Sequence, residues 1–130
     1  MAFLLFSCSL RDGSRSQVMV EALRTELEGA GHEVEYLDLR EAELPLCDGD
    51  ECYDHPATKA LRASVAAADG IIFAVPVYNF YASAAAKNIV ELGGSTFEGK
   101  VVGFICAAGG RNSYMSVMSL ANSLMLDFRC

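Results

Sequence analysis

Three uninterrupted apolar runs constrain this chain more than any other feature: A-F-L-L-F-S at residues 2–7, G-I-I-F-A-V at 70–75 and K-V-V-G-F-I-C-A at 100–107. A strand with water on one face alternates apolar and polar residues, whereas an unbroken run is expected where both faces are covered. Covered strands of this kind are usually parallel, and parallel strands need long crossover connections. Helical patterns fill the intervals. Val20, Leu23, Leu27 and Ala30 share one face of a helix predicted over 16–30, and Leu61, Val65 and Ala68 do so over 58–68. Residues 83–92 read as a third helix closed by Gly93 and Gly94, and Val117, Ala121 and Leu124 line a fourth over 113–127. A further strand at 33–39, E-V-E-Y-L-D-L, alternates and is therefore an outer one. The order βαβαβαβα predicts an α/β three-layer sandwich, a parallel sheet with helices on both faces and right-handed crossovers.

The 130 residues suit a single domain, and 52% hydrophobic content is enough for a real core. A formal net charge of −7 repels nucleic acid and anionic membrane, which excludes both as expected partners. No apolar run approaches the roughly 20 residues that span a bilayer. The first run lacks a basic segment before it and is too short for a signal peptide. Five cysteines without a regular framework suit a reducing, cytoplasmic setting.

In parallel α/β sheets, ligands sit beyond the carboxyl ends of the strands, where the strand order reverses. This selects the loops 8–16, 76–82 and 108–113. The first, C-S-L-R-D-G-S-R-S, offers hydroxyls from Ser9, Ser14 and Ser16 and the charged fork of Arg11, all just before a helix whose amino end attracts anions. Ser14-x-x-Gln17 also matches a capping box, so helix capping and anion binding both account for a serine there. The loop is neither G-x-x-x-x-G-K-[ST] nor G-x-G-x-x-G, which disfavours ATP and ordinary dinucleotide binding. The second loop, P-V-Y-N-F-Y, sets three aromatics at a strand end, fit for packing or for a planar ligand. The third, A-A-G-G-R-N-S, lets a ligand approach the backbone.

Together the loops resemble the NADPH-dependent FMN reductases of the flavodoxin-like superfamily. The likeness rests on S-L-R-x-x-S (Ser9, Leu10, Arg11, Ser14), P-x-Y-N (Pro76, Tyr78, Asn79), K-N-x-x-E (Lys87, Asn88, Glu91) and A-G-G (Ala108, Gly109, Gly110). It implies bound FMN, with its phosphate on Ser9, Arg11, Ser14 and Ser16. Pro76, Val77, Tyr78 and Asn79 would then line one edge of the ring, and Ala108, Gly109 and Gly110 its pyrimidine edge. Lys87, Asn88 and Glu91 would serve structure or a dimer interface. The implied reaction takes hydride from NAD(P)H and passes electrons to a flavin, quinone or similar small acceptor. It needs no acid or base from the protein, so no catalytic residue and no metal ligand is expected. A homodimer or homotetramer is implied as well. The alternative is a flavodoxin-like FMN carrier without enzymatic activity.

The sequence departs from the family pattern in two places. Cys8 stands where the family often has glycine, which would narrow the turn. The family's fifth strand and last helix would follow Asp127, but the sequence ends at Cys130, so the sheet is expected to lack them, leaving 100–107 as an uncovered edge, or to be completed by another route such as a partner chain. Cys47 and Cys52, in C-D-G-D-E-C, are too few for the four-cysteine iron–sulfur cluster that some flavodoxin-like proteins hold near here. Ordinary reduced thiols are the expected reading there, with redox exchange between the two and metal binding, to which His55 could add a nitrogen, as minor alternatives.

Overall fold

The computed structural model describes residues 1–130. Its centre is a parallel sheet built from β1 (Ala2–Ser7), β2 (Glu33–Asp38), β3 (Gly70–Tyr78) and β5 (Val101–Ala107), with a two-residue β4 (Tyr81–Ala82) folded back antiparallel on β3. The four long strands lie in the order β2-β1-β3-β5. The chain therefore runs from β1 outward to β2, then crosses to the other side of β1 to lay down β3. Strand order reverses between β1 and β3, and the loops leaving those two strands flank the reversal.

Helix α1 (Arg15–Gly29) covers one face of the sheet alone. Its Val20 packs with Leu5 and Ala74, and Leu23, Leu27, Val34, Tyr36, Ile72 and Ile105 complete that layer. The other face carries α2 (Pro56–Ala67), α3 (Ala84–Gly93) and α4 (Met118–Phe128). Leu61 and Val65 from α2, Ile89 and Leu92 from α3, and Leu120 and Leu124 from α4 close over Leu4, Phe6, Ile71 and Phe73. The first two apolar runs, in β1 and β3, thus sit where the two-faced burial argument placed them, whereas no residue of β5 is fully buried. β2 alternates because it is an edge strand and only part of its surface is covered.

Two boundaries differ from the sequence reading by three residues or more, each for a local reason. β3 does not stop at Pro76 but continues to Tyr78. Ala74 still accepts a bond from the Cys8 N–H, the last contact with β1. Two residues on, the N–H that proline lacks would face the space past the end of β1, so no ladder bond is lost. The last α-helix begins at Met118, not at 113, because residues Arg111–Met115 form a 3-10 turn. The Ser116 hydroxyl donates to the Ser113 carbonyl at 2.6 Å and holds that turn closed. The hairpin that carries β4 was not expected at all.

Within residues 1–130, the run at 100–107 forms one edge of the sheet. β5 bonds to β3 alone, its residues are mostly half-buried, and Val101 is 73% exposed.

Candidate functional site

Each wall of the cleft at the carboxyl end of the sheet is shaped by local backbone chemistry. After β1, the Cys8 N–H bonds to the Ala74 carbonyl and the Cys8 carbonyl accepts from the Ser83 hydroxyl at 3.0 Å. Cys8 is fully buried within the larger core cluster and keeps a negative φ, so the position has no need of glycine. Burial pushes its thiol far above the ordinary range, leaving a neutral packing group. The Ser9 hydroxyl accepts from the Arg11 N–H at 3.2 Å, and Gly13, at φ 60°, turns the chain into the helix.

Ser14 is the N-cap, its hydroxyl accepting from the Gln17 N–H at 3.1 Å. The same hydroxyl lies 3.2 Å from that of Ser16, which is fully buried. Two hydroxyls that share one hydrogen bond have a second O–H left over, whichever of them donates. Capping and ligand binding, alternatives in the sequence, are thus compatible in one serine pair.

After β3, Asn79 (φ 51°) and Phe80 (φ 60°) occupy the two central positions of the hairpin, the left-handed pair that a tight two-residue turn requires. A bulky residue there costs about 1–2 kcal/mol. The turn leaves Tyr78, Phe80 and Tyr81 exposed along the rim.

A cavity of ≈ 340 Å³ joins these walls, lined by Arg11, Gly13, Ser14, Arg15, Ser16, Pro76, Val77, Tyr78, Ala107, Ala108 and Gly109. Eight of the eleven residues selected from the sequence therefore meet in one place. Asn79 and Gly110 line an adjoining cavity with Phe80 and Ser113. Ser9 is 1% exposed and shapes the loop without lining either. Arg15 escaped the sequence reading, although its place immediately after the capping serine is itself a signal: the first helical residue borders whatever the helix end binds.

The charge balance favours an anion. Arg11 and Arg15 form no ion pair with a protein carboxylate. The one carboxylate of the loop, Asp12, pairs with Arg40 at 2.6 Å, and Arg40 also grips Asp38 at 2.5 Å. By contrast, the cavity at the amino ends of β1 and β2 is lined by Glu33 and Glu35, the wrong sign for a phosphate.

Burial raises the Asp38 carboxyl, but the Arg40 guanidinium and backbone N–H outweigh it and hold the group below the usual carboxylate range. A depressed folded-state pKa contributes stability above the unfolded value and loses it as pH falls through the folded one. Wild type should accordingly lose more of its urea midpoint than Asp38→Asn as the pH is lowered below about 4, and match its own neutral value above about 5. Parallel pH profiles for the two proteins would remove Asp38 from the acid response.

The fold, with its cleft at the strand reversal, is that of a flavodoxin-like α/β protein. The NADPH-dependent FMN reductase family model matches residues 1–128, and the chain belongs to that family. It is similar to an NADPH azoreductase of Bacillus sp. (strain OY1-2), 34% identical over 112 residues, covering 85% of this chain and 60% of that protein. It is also similar to a probable NADPH:quinone oxidoreductase 2 of Oryza sativa subsp. japonica, 32% identical over 119 residues, covering 85% of this chain and 58% of the relative. The chain thus spans less than two thirds of the length of either. The flavoenzyme NAD(P)H:(acceptor) oxidoreductase FerB from Paracoccus denitrificans shares the fold, with a TM-score of 0.79 at 22% identity over 95% of this chain and 70% of that one. No helix of the structure is long and apolar enough to cross a membrane.

Proposed function

We propose that this domain binds FMN and serves an oxidoreductase that takes hydride from NAD(P)H and delivers electrons to a quinone, azo compound, flavin or similar small acceptor. One observation carries the reading: the amino end of α1, two guanidinium groups without carboxylate partners and a shared hydroxyl pair all border a single cavity, which continues to Pro76–Tyr78 and Ala107–Gly109. That donor set fits a phosphate, and the backbone beyond it fits a flat ring.

Flavin, once bound, supplies the two-electron redox chemistry. The chain's part is to hold and orient. Arg11, Arg15, Ser14 and Ser16 would hold the phosphate, Ser9 would fix the loop that presents Arg11, and Pro76, Val77, Tyr78 and Asn79 would border the ring. Ala108, Gly109 and Gly110 would lie against the opposite edge, where two residues without bulk allow the backbone to come close. The family membership and the two curated relatives, both named for NADPH, support the hydride donor. A cytoplasmic homo-oligomer remains our reading for the whole protein, consistent with five free thiols and with the exposed aromatic rim as a contact surface.

The test is direct. Purified protein titrated with FMN should quench the flavin's fluorescence at one equivalent, and anaerobic NADPH should then bleach the bound flavin without a helper enzyme. FMN that binds but stays oxidised would identify an electron carrier instead. Failure of well-folded protein to take up FMN would overturn the assignment of the cleft.

A further inference from the structure

Outside the cleft, the segment that separates β2 from α2 places two thiols side by side. The Cys52 Sγ lies 3.8 Å from the Cys47 Sγ, although the residues are five apart. The turn between them is built by Asp48, whose Oδ1 accepts from the N–H groups of Asp50 at 2.9 Å and Cys52 at 3.1 Å. Gly49, at φ 82°, supplies the left-handed residue that this reversal requires. The start of the segment is anchored to α3: Asn88 Oδ1 accepts from the Cys47 N–H, and its amide donates to the Pro45 carbonyl, both at 2.9 Å. The two sulfurs are therefore held together by the fold and not by chance proximity in a free loop.

Their surroundings differ in a way that separates their roles. Cys47 is half-buried, and its sulfur lies 3.6 Å from the Tyr53 hydroxyl, whose ring is capped by the Arg62 guanidinium at 4.9 Å. Cys52 is 3% exposed. Burial and the contact with Asp48 push the Cys52 thiol up, so it keeps its proton. The other three thiols are placed differently: Cys8 is fully buried, Cys106 is exposed, and Cys130 donates to the Phe97 carbonyl.

We propose that Cys47 and Cys52 form a reversible dithiol–disulfide site, oxidised by a hydroperoxide at Cys47 and resolved by Cys52. The Cys47 thiolate attacks a peroxide oxygen, the O–O bond breaks, and Cys47 becomes a sulfenic acid while the departing oxygen takes up a proton. The Cys52 sulfur then attacks Cys47 Sγ. The S–O bond breaks, the S–S bond forms, and water leaves with the Cys52 proton. Two thiols lose two electrons and two protons, and hydrogen peroxide becomes two waters. Closing the bond to about 2.05 Å requires the sulfurs to approach by under 2 Å, within the reach of side-chain rotation. The Asp48 turn and the Asn88 clamp bend the backbone so that the two sulfurs come together. A small dithiol reverses the change. This site is independent of flavin binding.

The full chain, reduced and then freed of reductant, would be treated with hydrogen peroxide, denatured in iodoacetamide and digested with trypsin. Residues 41–59 form one tryptic peptide that contains both cysteines and no others. The expected result is loss of both alkyl labels from that peptide, with its mass lower by two hydrogens than the reduced, unlabelled form, and recovery of both labels after dithiothreitol. C52S should stop at a sulfenic acid on Cys47 that dimedone captures, and C47S should leave Cys52 as a thiol. A peptide still carrying both labels at doses that oxidise the exposed Cys106 would overturn the proposal, as would a Cys47 bridge to another molecule. The wild-type digest decides the matter even where a variant fails to fold.

Discussion

Arg11→Ala should weaken FMN at least tenfold while changing the affinity for riboflavin little. The two ligands share the ring and differ in the phosphate, so their ratio isolates the anion contact. A hydrogen bond to a charged group contributes about 1.5–3 kcal/mol, which corresponds to roughly ten- to hundredfold in affinity. Arg11 is exposed, and solvent screening pulls the effect toward the lower end. Added salt should therefore shrink the difference between wild type and variant for FMN and leave riboflavin unaffected. Arg15→Ala should show the same selectivity, because both guanidinium groups border the cavity without a competing carboxylate. Isothermal titration with each ligand provides the measurement. Equal weakening of FMN and riboflavin would mean that Arg11 supports the cleft's shape and does not bind phosphate.

The largest effect on stability is expected from Phe73→Ala. Phe73 is fully buried in the central strand, with ring centroids 5.0 Å from Phe6, 5.9 Å from Phe97 and 5.8 Å from Phe104. Phe97 carries the contact on to Phe128 of α4 at 6.2 Å. The ring thus joins two strands to the layer that covers them, and the rigid sheet backbone gives a cavity there little room to collapse. Truncating such a phenylalanine costs about 3–5 kcal/mol, a large part of the roughly 5–15 kcal/mol that holds a domain together. Urea unfolding should show a midpoint far below wild type, or a variant that does not fold. Phe3→Ala, on a half-buried ring paired edge-on with His32 at 5.3 Å, should cost distinctly less. A loss below about 1.5 kcal/mol at Phe73 would contradict the packing described.

The parallel sheet was legible because burial on both faces leaves no room for polar residues in β1 and β3, and a run without polar residues is plain to read. The cleft followed from topology, since loops at the carboxyl ends of strands flanking a reversal must lie together. What could not be read depended on neighbours. Pro76 reads as a strand breaker until β1 is seen to end two residues earlier. Residues 77–82 carry no Asn-Gly signal, and the hairpin there forces Phe80 into a conformation that its own propensity opposes. The nearness of Cys47 to Cys52 rests on the Asp48 turn and the Asn88 clamp, and Asn88 lies on a helix that begins more than thirty residues further along the chain.

The two sides of the cleft are not equally firm. Arg11 and Ser14 in the loop from β1 to α1, and Ser16 in the first turn of α1, lie between two elements tied into the middle of the sheet. Ala107, Ala108 and Gly109 extend from β5, a strand bonded on one side only and half open to solvent. In residues 1–130 taken by themselves, local opening should begin at that outer strand and reach the central ones last. A ligand that touches both sides must hold the loose side against the firm one. Part of its binding free energy then goes into quieting β5, and the cleft is completed by what it binds as much as by the chain that builds it.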